Sequence, residues 1–313
     1  LHPHCRRQRQ MCIRDSWNYG YKKANTSFQL SPRIGIAYPI TDRGVIHVSY
    51  GHFFQIPQFS FLYDNPEFEI TNSNNGGILG NANLRPEKTI MYEVGVKQEI
   101  ARLTSIDVTL FYRDTRDWVG ISPTIKKYPV GNYRKYQNMD YANTRGFTIM
   151  LERRYQNNFG LNIDYSWMLA EGTYSNPTDA YFDALNDQSP RLAMVPLNWD
   201  QTHTLNLRLT VGGENWITSI IGNYWSGKPY TPEFKTGSVS GSSAFAGFAE
   251  NSSRKPNIFS FDMRTSYELK LLGFRSNLFV NMYNIFDIRN EINVWNDTGR
   301  ATYTLSANDV SLT

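Results

Sequence analysis

The side chains able to do chemistry are few and poorly grouped for it. The chain has five histidines and two cysteines in 313 residues. Both cysteines (Cys5, Cys12) and two of the histidines (His2, His4) fall in the first sixteen residues. That spacing would suit a thiolate–imidazole metal cluster, and Arg6, Arg7, Arg9 and Arg14 beside it would suit a nucleic-acid arm. The segment LHPHCRRQRQMCIRDS lacks apolar alternation and a signal-peptide core, and it reads as translated adapter sequence to be set aside. It also carries most of the chain's net charge of +4. Without it no cysteine remains, as suits a protein exported through an oxidising compartment.

Beyond residue 16, Asp64, Glu67 and Glu69 with Asn72 and Asn74 offer clustered oxygens of the kind calcium wants. Their spacing lacks the calcium-loop pattern, so a plain acidic loop is expected and no metal or other cofactor is assigned. His47 and His52 lie five apart on one predicted strand, hence on opposite faces, and cannot chelate one metal from it. No nucleophile motif, glycine-rich phosphate loop or basic nucleic-acid stripe is present, so neither an enzyme nor a nucleic-acid binder is expected. What remains are clusters of aromatic and basic residues suited to stacking on a ring or pairing with an anion. These are Tyr128, Tyr133, Arg134, Lys135 and Tyr136 in one polar segment, and Tyr224, Trp225, Lys228 and Tyr230 near another. They are the candidate ligand contacts.

The elements that must position these residues are strands. Short turns at 41–44, 100–103, 156–159, 212–215 and 270–273 recur at nearly even spacing. Each is flanked by alternating segments, giving ten predicted strands: 31–40, 45–55, 88–99, 104–113, 143–155, 160–169, 202–211, 216–225, 257–269 and 274–284. Thr-Asp-Arg-Gly at 41–44 and Gly-Gly-Glu-Asn at 212–215 are turn chemistry that permits positive φ. On the other side lie long polar loops, 56–87, 114–142, 170–201 and 226–256, with a fifth from Phe286. Loops of that length are unusual in a compact soluble domain.

The strands have two unlike faces, with the period of two that a pleat imposes. In 259–269, Phe259, Phe261, Met263, Thr265, Tyr267 and Leu269 alternate with Ser260, Asp262, Arg264, Ser266 and Glu268. The same split separates Tyr92, Val94 and Val96 from Glu93 and Lys97. It also separates Val108 and Leu110 from Asp107, with Arg113 further along the polar face. It sets Leu205, Leu207 and Leu209 against Arg208, and Leu278 and Val280 against Arg275. The charges Glu93, Lys97, Asp107, Arg113, Arg208, Asp262, Arg264, Glu268 and Arg275 all share the polar face. Each apolar stripe sits on a strand of about 9–11 residues, the length a tilted strand needs to cross the hydrocarbon core. A soluble sandwich also alternates, but an Arg or Lys at mid-depth in lipid costs roughly 2–4 kcal/mol, which accounts for the exclusion. Mean hydropathy is −0.49, too polar for a helical bundle, and no apolar run approaches a membrane helix. Twenty Tyr and 18 Phe suit strands and interfacial girdles. Trp118, Trp167, Trp199, Trp216 and Trp225 fall near strand ends, where such belts sit.

The fold class is therefore all-β: part of an antiparallel transmembrane β-barrel, with short periplasmic turns and long extracellular loops. From about residue 31 onward the chain resembles the C-terminal barrel of a TonB-dependent outer-membrane receptor. GNANLRPEKTIMYEVGVKQEI (Gly80–Ile100) carries the likeness through Asn83, Leu84, Pro86, Glu87, Tyr92, Glu93 and Gly95. Pro86, which cannot donate to a ladder, falls just before the strand. YGHFFQIPQ (Tyr50–Gln58) resembles a strand-end segment in which Gln55 stands where the family has Arg. VNMYNIFDIRNEINVWNDTGR (Val280–Arg300) resembles a late-barrel segment. The resemblance implies one barrel of about 22 strands around an N-terminal plug. Residues 17–313 are then expected to be a C-terminal portion, with the plug, the TonB-contacting box and the last strand lying outside it. It further implies TonB-powered import of a scarce ligand, such as a siderophore, vitamin, glycan or peptide, across the outer membrane of a Gram-negative bacterium. The expected partners are outer-membrane lipid, the TonB complex through the plug, and the extracellular ligand. A passive porin or a surface-adhesion barrel is the alternative that the strands alone leave open.

Overall fold

The computed structural model describes residues 24–65, 77–127, 131–174, 194–232, 250–271 and 273–305. In chain order the elements are β1 (Arg33–Thr41), β2 (Gly44–Gln55), α1 (Phe59–Tyr63), β3 (Ile78–Leu79), β4 (Glu87–Ala101) and β5 (Thr104–Ile121). There follow β6 (Ile125–Lys127), β7 (Gly131–Gln156), β8 (Phe159–Gly172), β9 (Val195–Pro196) and β10 (His203–Gly212). The last are β11 (Trp216–Trp225), β12 (Pro229–Tyr230), β13 (Ser253–Arg254), β14 (Ile258–Leu271) and β15 (Phe274–Met282). Ten of them form a wall in the order β1-β2-β4-β5-β7-β8-β10-β11-β14-β15, and each main strand pairs antiparallel with its neighbour in that order. All ten predicted strands are present. No helix among the described residues is long and apolar enough to cross a membrane, which says nothing of strands.

The turns are tighter than the four residues expected. Thr41 pairs with Gly44, Ala101 with Thr104 and Gln156 with Phe159, leaving two residues at each tip. Positive φ falls at Leu103, Asn157, Asn158 and Gly273, and at no described residue of 41–44 or 212–215. Asn157 and Asn158 (φ 53° and 64°) take the left-handed pair that a two-residue hairpin of this twist requires. At 41–44 the register shifts between Pro39 and Thr41 instead, so a bulge absorbs the turn's geometry.

Register fixes the two faces across the whole wall. Val48 pairs with Val94, Val96 with Val108, Leu110 with Phe147, Leu151 with Ile163, Ile163 with Leu207, Ile220 with Met263, and Thr265 with Val280. Leu207 also pairs with Gly222. One face is thus apolar over nearly its entire extent. On β4 and β5 it is also the more exposed: Leu110 is 54% accessible and Tyr92 48%. Neighbours on the other face, such as Glu93, Gly95, Asp107 and Thr109, are more shielded. Crowding on one face with splaying on the other is what curvature does to a sheet, so the polar face is the inner one. An outward apolar expanse of this size is far larger than a soluble monomer leaves to water.

Near the loop end of the outer face runs a row of rings. Tyr50 and Tyr92 lie 5.2 Å apart, Phe147 and Trp167 5.7 Å, and Tyr224 and Phe259 5.0 Å. Beyond the apolar stripe, outward charges appear: Arg116 bonds Asp114 at 3.0 Å and Arg145 bonds Glu171 at 3.0 Å. An aromatic belt followed by charge marks where a hydrocarbon layer would end. Trp167 and Trp216 lie on this outer face, whereas Trp225 pairs with Thr204 on the inner one.

The expected second loop is largely strand. β5 runs on to Ile121 and β7 begins at Gly131, so their hairpin stands above the wall. Two small cores sit at this level. Leu84, Val119, Ile121 and Tyr136 pack with Phe61, Leu62 and Ile78. Ala142, Ala170 and Leu197 pack with Trp118.

Candidate ligand-binding site

At the loop end, the inner face opens into a cleft of about 430 Å³ lined by Phe53, Gln55, Glu87, Thr89, Arg113, Thr115, Trp118, Thr144, Leu197 and Trp199, among others. Most of these are inward positions of β2, β4, β5 and β7. Trp118 reaches the cleft because β5 bulges there: register shifts between Thr115 and Trp118, and Asp117 takes φ 59°. A bulge re-aims a side chain in this way. Arg85 holds Asp117 in an ion pair, and Asn138 Nδ2 donates to the Asp117 carbonyl at 2.6 Å. Trp199 comes from the β9–β10 connection and meets Trp118 edge to face at 5.6 Å. Trp118 and Trp199 therefore form a cleft wall rather than part of the outer belt. The bulge is a geometric event, and alternation alone places neither ring.

At the cleft (Arg113) and beyond it, the inner face carries the nine charges named from the sequence, all on one side of the sheet by register. Glu93 accepts from Ser49 Oγ at 3.1 Å and lies 3.9 Å from Arg113. Lys97 sits opposite Asp107, which accepts from Thr109 at 3.0 Å. Asp262 accepts the Asn284 N–H at 2.9 Å. Arg208, Arg264, Glu268 and Arg275 occupy inward positions further round. His47 faces inward toward Thr109 (3.3 Å), and His52 faces outward against the Tyr50 hydroxyl.

The aromatic–basic candidates are placed differently from a loop cluster. Tyr128 lies outside the described residues, as do Glu67, Glu69, Asn72 and Asn74 of the acidic group. Tyr133, Arg134, Lys135 and Tyr136 sit on β7, alternating in direction, and β3 pairs with this stretch in parallel. Arg134 and Tyr136 are buried. Tyr136 packs on Phe61 at 4.8 Å and its hydroxyl lies 3.5 Å from Asp64. Burial first, and Asp64 second, push the Tyr136 phenol up from its ordinary value. This half of the cluster is structural: it docks the first loop on the second hairpin. Lys135 alone of the four is exposed. In the other group, Tyr224 faces outward with the belt, Trp225 faces inward, Tyr230 belongs to β12 and Lys228 precedes it.

The loops are joined in sequence around the rim. The first meets the second through Arg85–Asp117 and Tyr136–Phe61, and the second meets the third through Trp118–Trp199. The third meets the fourth through Asn251 Nδ2 to the Pro196 carbonyl (2.7 Å), and the fourth meets the fifth through Lys255 Nζ to the Ile292 carbonyl (3.3 Å). Asp140, in the β7 extension beyond the outward charges that end the apolar stripe, is buried and accepts from Thr173 Oγ1 at 2.9 Å. Burial raises its carboxyl pKa, with the Thr173 bond pulling the other way. A carboxyl whose folded pKa is raised favours the fold most when protonated, so this stability fades as pH climbs from the unfolded value through the raised one. Asp140→Asn should flatten that slope, seen as crown proteolysis that no longer accelerates from acid to neutral buffer.

The family model described as TonB dependent receptor-like, beta-barrel, matches residues 13–285. Among solved structures, the chain is similar to the outer membrane transporter YddB of Escherichia coli, with a TM-score of 0.61 and 15% identity over 84% of this chain and 37% of that one. It is similar to the ferric-catecholate import receptor Fiu of E. coli K12, with a TM-score of 0.53 and 17% identity over 86% and 32%. It is likewise similar to the FrpB iron transporter of Neisseria meningitidis, with a TM-score of 0.53 and 14% identity over 83% and 35%. At these identities the likeness is one of fold, and the chain spans about a third of the length of those structures. No curated protein matches.

Proposed function

The chain belongs to the TonB-dependent receptors, as part of their β-barrel, and from that premise we propose that the intact protein actively imports a scarce extracellular ligand. The barrel sits in the outer membrane with its apolar face in lipid, and the nine inward charges line the water-accessible bore. The ligand is caught at the loop-end cleft. Energy passed from the TonB complex to an N-terminal plug then opens its path inward. Siderophores, vitamins, glycans and peptides are the ligand classes open to such a receptor. No bond of the ligand is broken in this scheme.

The observation that supports this reading is the cleft itself. It puts two indole rings and a guanidinium, Trp118, Trp199 and Arg113, on the inner face at the mouth of the wall. Aromatic faces grip flat or ring-bearing ligands, and Arg113 adds a charged donor. A passive pore has no need of such a grip.

The test is uptake by cells lacking the gene, complemented with the full gene or its Trp118→Ala/Trp199→Ala form. Radiolabelled ferric siderophores, cobalamin, oligosaccharides and peptides are offered in turn. Loss of both rings should cost on the order of 1–3 kcal/mol, about 5- to 150-fold in half-saturating concentration for the ligand taken up. Uptake that continues undiminished when the TonB complex is disabled would instead identify a passive barrel.

A further inference from the structure

Asp200 is an acid the import scheme leaves unused, and it is 1% exposed. A carboxylate that far from water persists only when its oxygens are fully bonded. Oδ1 accepts the Ala170 N–H at 2.7 Å, and Oδ2 takes Nη2 of Arg254 at 2.5 Å. Arg254 Nη1 reaches the Asp200 carbonyl at 3.1 Å and the Gly227 carbonyl at 3.5 Å. The turn that carries Asp200 is pinned at its other end too. The Leu197 N–H donates to the Ala170 carbonyl (2.9 Å), and the Asp200 N–H donates to the Leu197 carbonyl (2.7 Å). Within this turn ride Leu197 and Trp199, both of which line the cleft. Trp199 is 44% exposed, so its position depends on the turn beneath it.

Arg254 belongs to β13, which pairs with β12 and holds the base of the fourth loop. Gly227 there lies so close to the Lys255 carbonyl that any side chain would collide with backbone. One guanidinium thus ties the turn bearing Trp199 to a strand pair of another loop.

We infer that the Asp200–Arg254 pair is the joint that positions the Trp199 wall of the cleft and couples it to the fourth loop. Both are positioning residues. The functional weight of this joint rests on the reading that the cleft takes the ligand, although the joint itself is tested without any ligand. A shift of the β12–β13 pair pulls Arg254, breaks the fork on Asp200 and releases Trp199. Ligand contact at that pair would then reshape the cleft wall.

The test uses the full-length receptor labelled with 5-fluorotryptophan, with Trp199→Phe identifying the Trp199 fluorine resonance. Asp200→Ala and Arg254→Met should move that resonance to the position of a freely rotating, solvated indole. Arg254→Lys, which keeps the charge but loses the fork, should move it part of the way. Gly227→Ala, which alters neither partner, should move it in the same direction. The Trp216 resonance at the turn end should stay in place, and gel migration before and after heating shows that the barrel is folded. A Trp199 resonance unmoved in folded Asp200→Ala and Arg254→Met overturns the joint. One that moves in those two but not in Gly227→Ala overturns the coupling to the fourth loop. Unchanged uptake by the Trp118→Ala/Trp199→Ala form would sink the cleft reading while leaving these resonance shifts as expected.

Discussion

Leu207→Arg is expected to cost the folded barrel about 2–4 kcal/mol, the penalty for a cation at mid-depth on a lipid-facing strand. Leu207 sits at the centre of β10, paired with Ile163 on one side and Gly222 on the other, all facing outward. Its chain neighbour Asn206 points inward, beside Asp164 and Asn223. Asn206→Arg therefore adds the same charge one residue away, on the face that already holds Arg208. Urea titration of the intact receptor in lipid vesicles separates the two. A large loss for Leu207→Arg with little change for Asn206→Arg is the expected pattern. Equal effects would mean that neither face meets hydrocarbon.

Gly146→Val should also destabilise the wall, by about 1–3 kcal/mol or more, because it overpacks a full site. Strand preference argues the other way, since valine suits a pleat better than glycine does. Sterics decide. A Cβ on Gly146 would collide with the Trp167 carbonyl oxygen and crowd the Phe111 ring and the Met168 backbone. Neither backbone group can yield without opening the β7–β8 ladder, where Gly146 pairs with Met168 and Phe147 with Trp167. The same urea midpoint reports it. A midpoint at or above the parent's would show that the neighbouring strands have room to relax.

Much of the wall was legible in the residues. Alternation such as Phe259-Ser260-Phe261-Asp262 has one cause, a two-sided pleat between unlike media, so the number of strands and their pairing into one antiparallel sheet followed from it. The turns were less so. Thr41-Asp42-Arg43-Gly44 looks like a positive-φ turn, yet a bulge two residues earlier does that work, while Leu103 accepts φ 66° in its place. The site was the least legible part. Tyr133 to Tyr136 read as a loop cluster because aromatic and basic residues mix there. The pairing of β3 and β5 with that stretch instead makes it strand and buries half of it. Trp118 and Trp199 are far apart in the chain and meet only because a bulge turns one and a pinned turn carries the other. Asp200 gives no signal in its own surroundings, since its partners Ala170 and Arg254 come from a preceding strand and a following loop.

The proposed receptor turns its apolar face to lipid and its charged face to water. Single cysteines at Val94, Leu110 and Leu207, and at Thr109, Asn206 and Ser266, can each carry a nitroxide label in the full-length receptor reconstituted in vesicles. Relaxation by oxygen, which concentrates in hydrocarbon, should dominate at the first three positions. Relaxation by a water-soluble nickel chelate should dominate at the last three. A reversed or uniform pattern across the six would mean that the apolar face does not meet lipid.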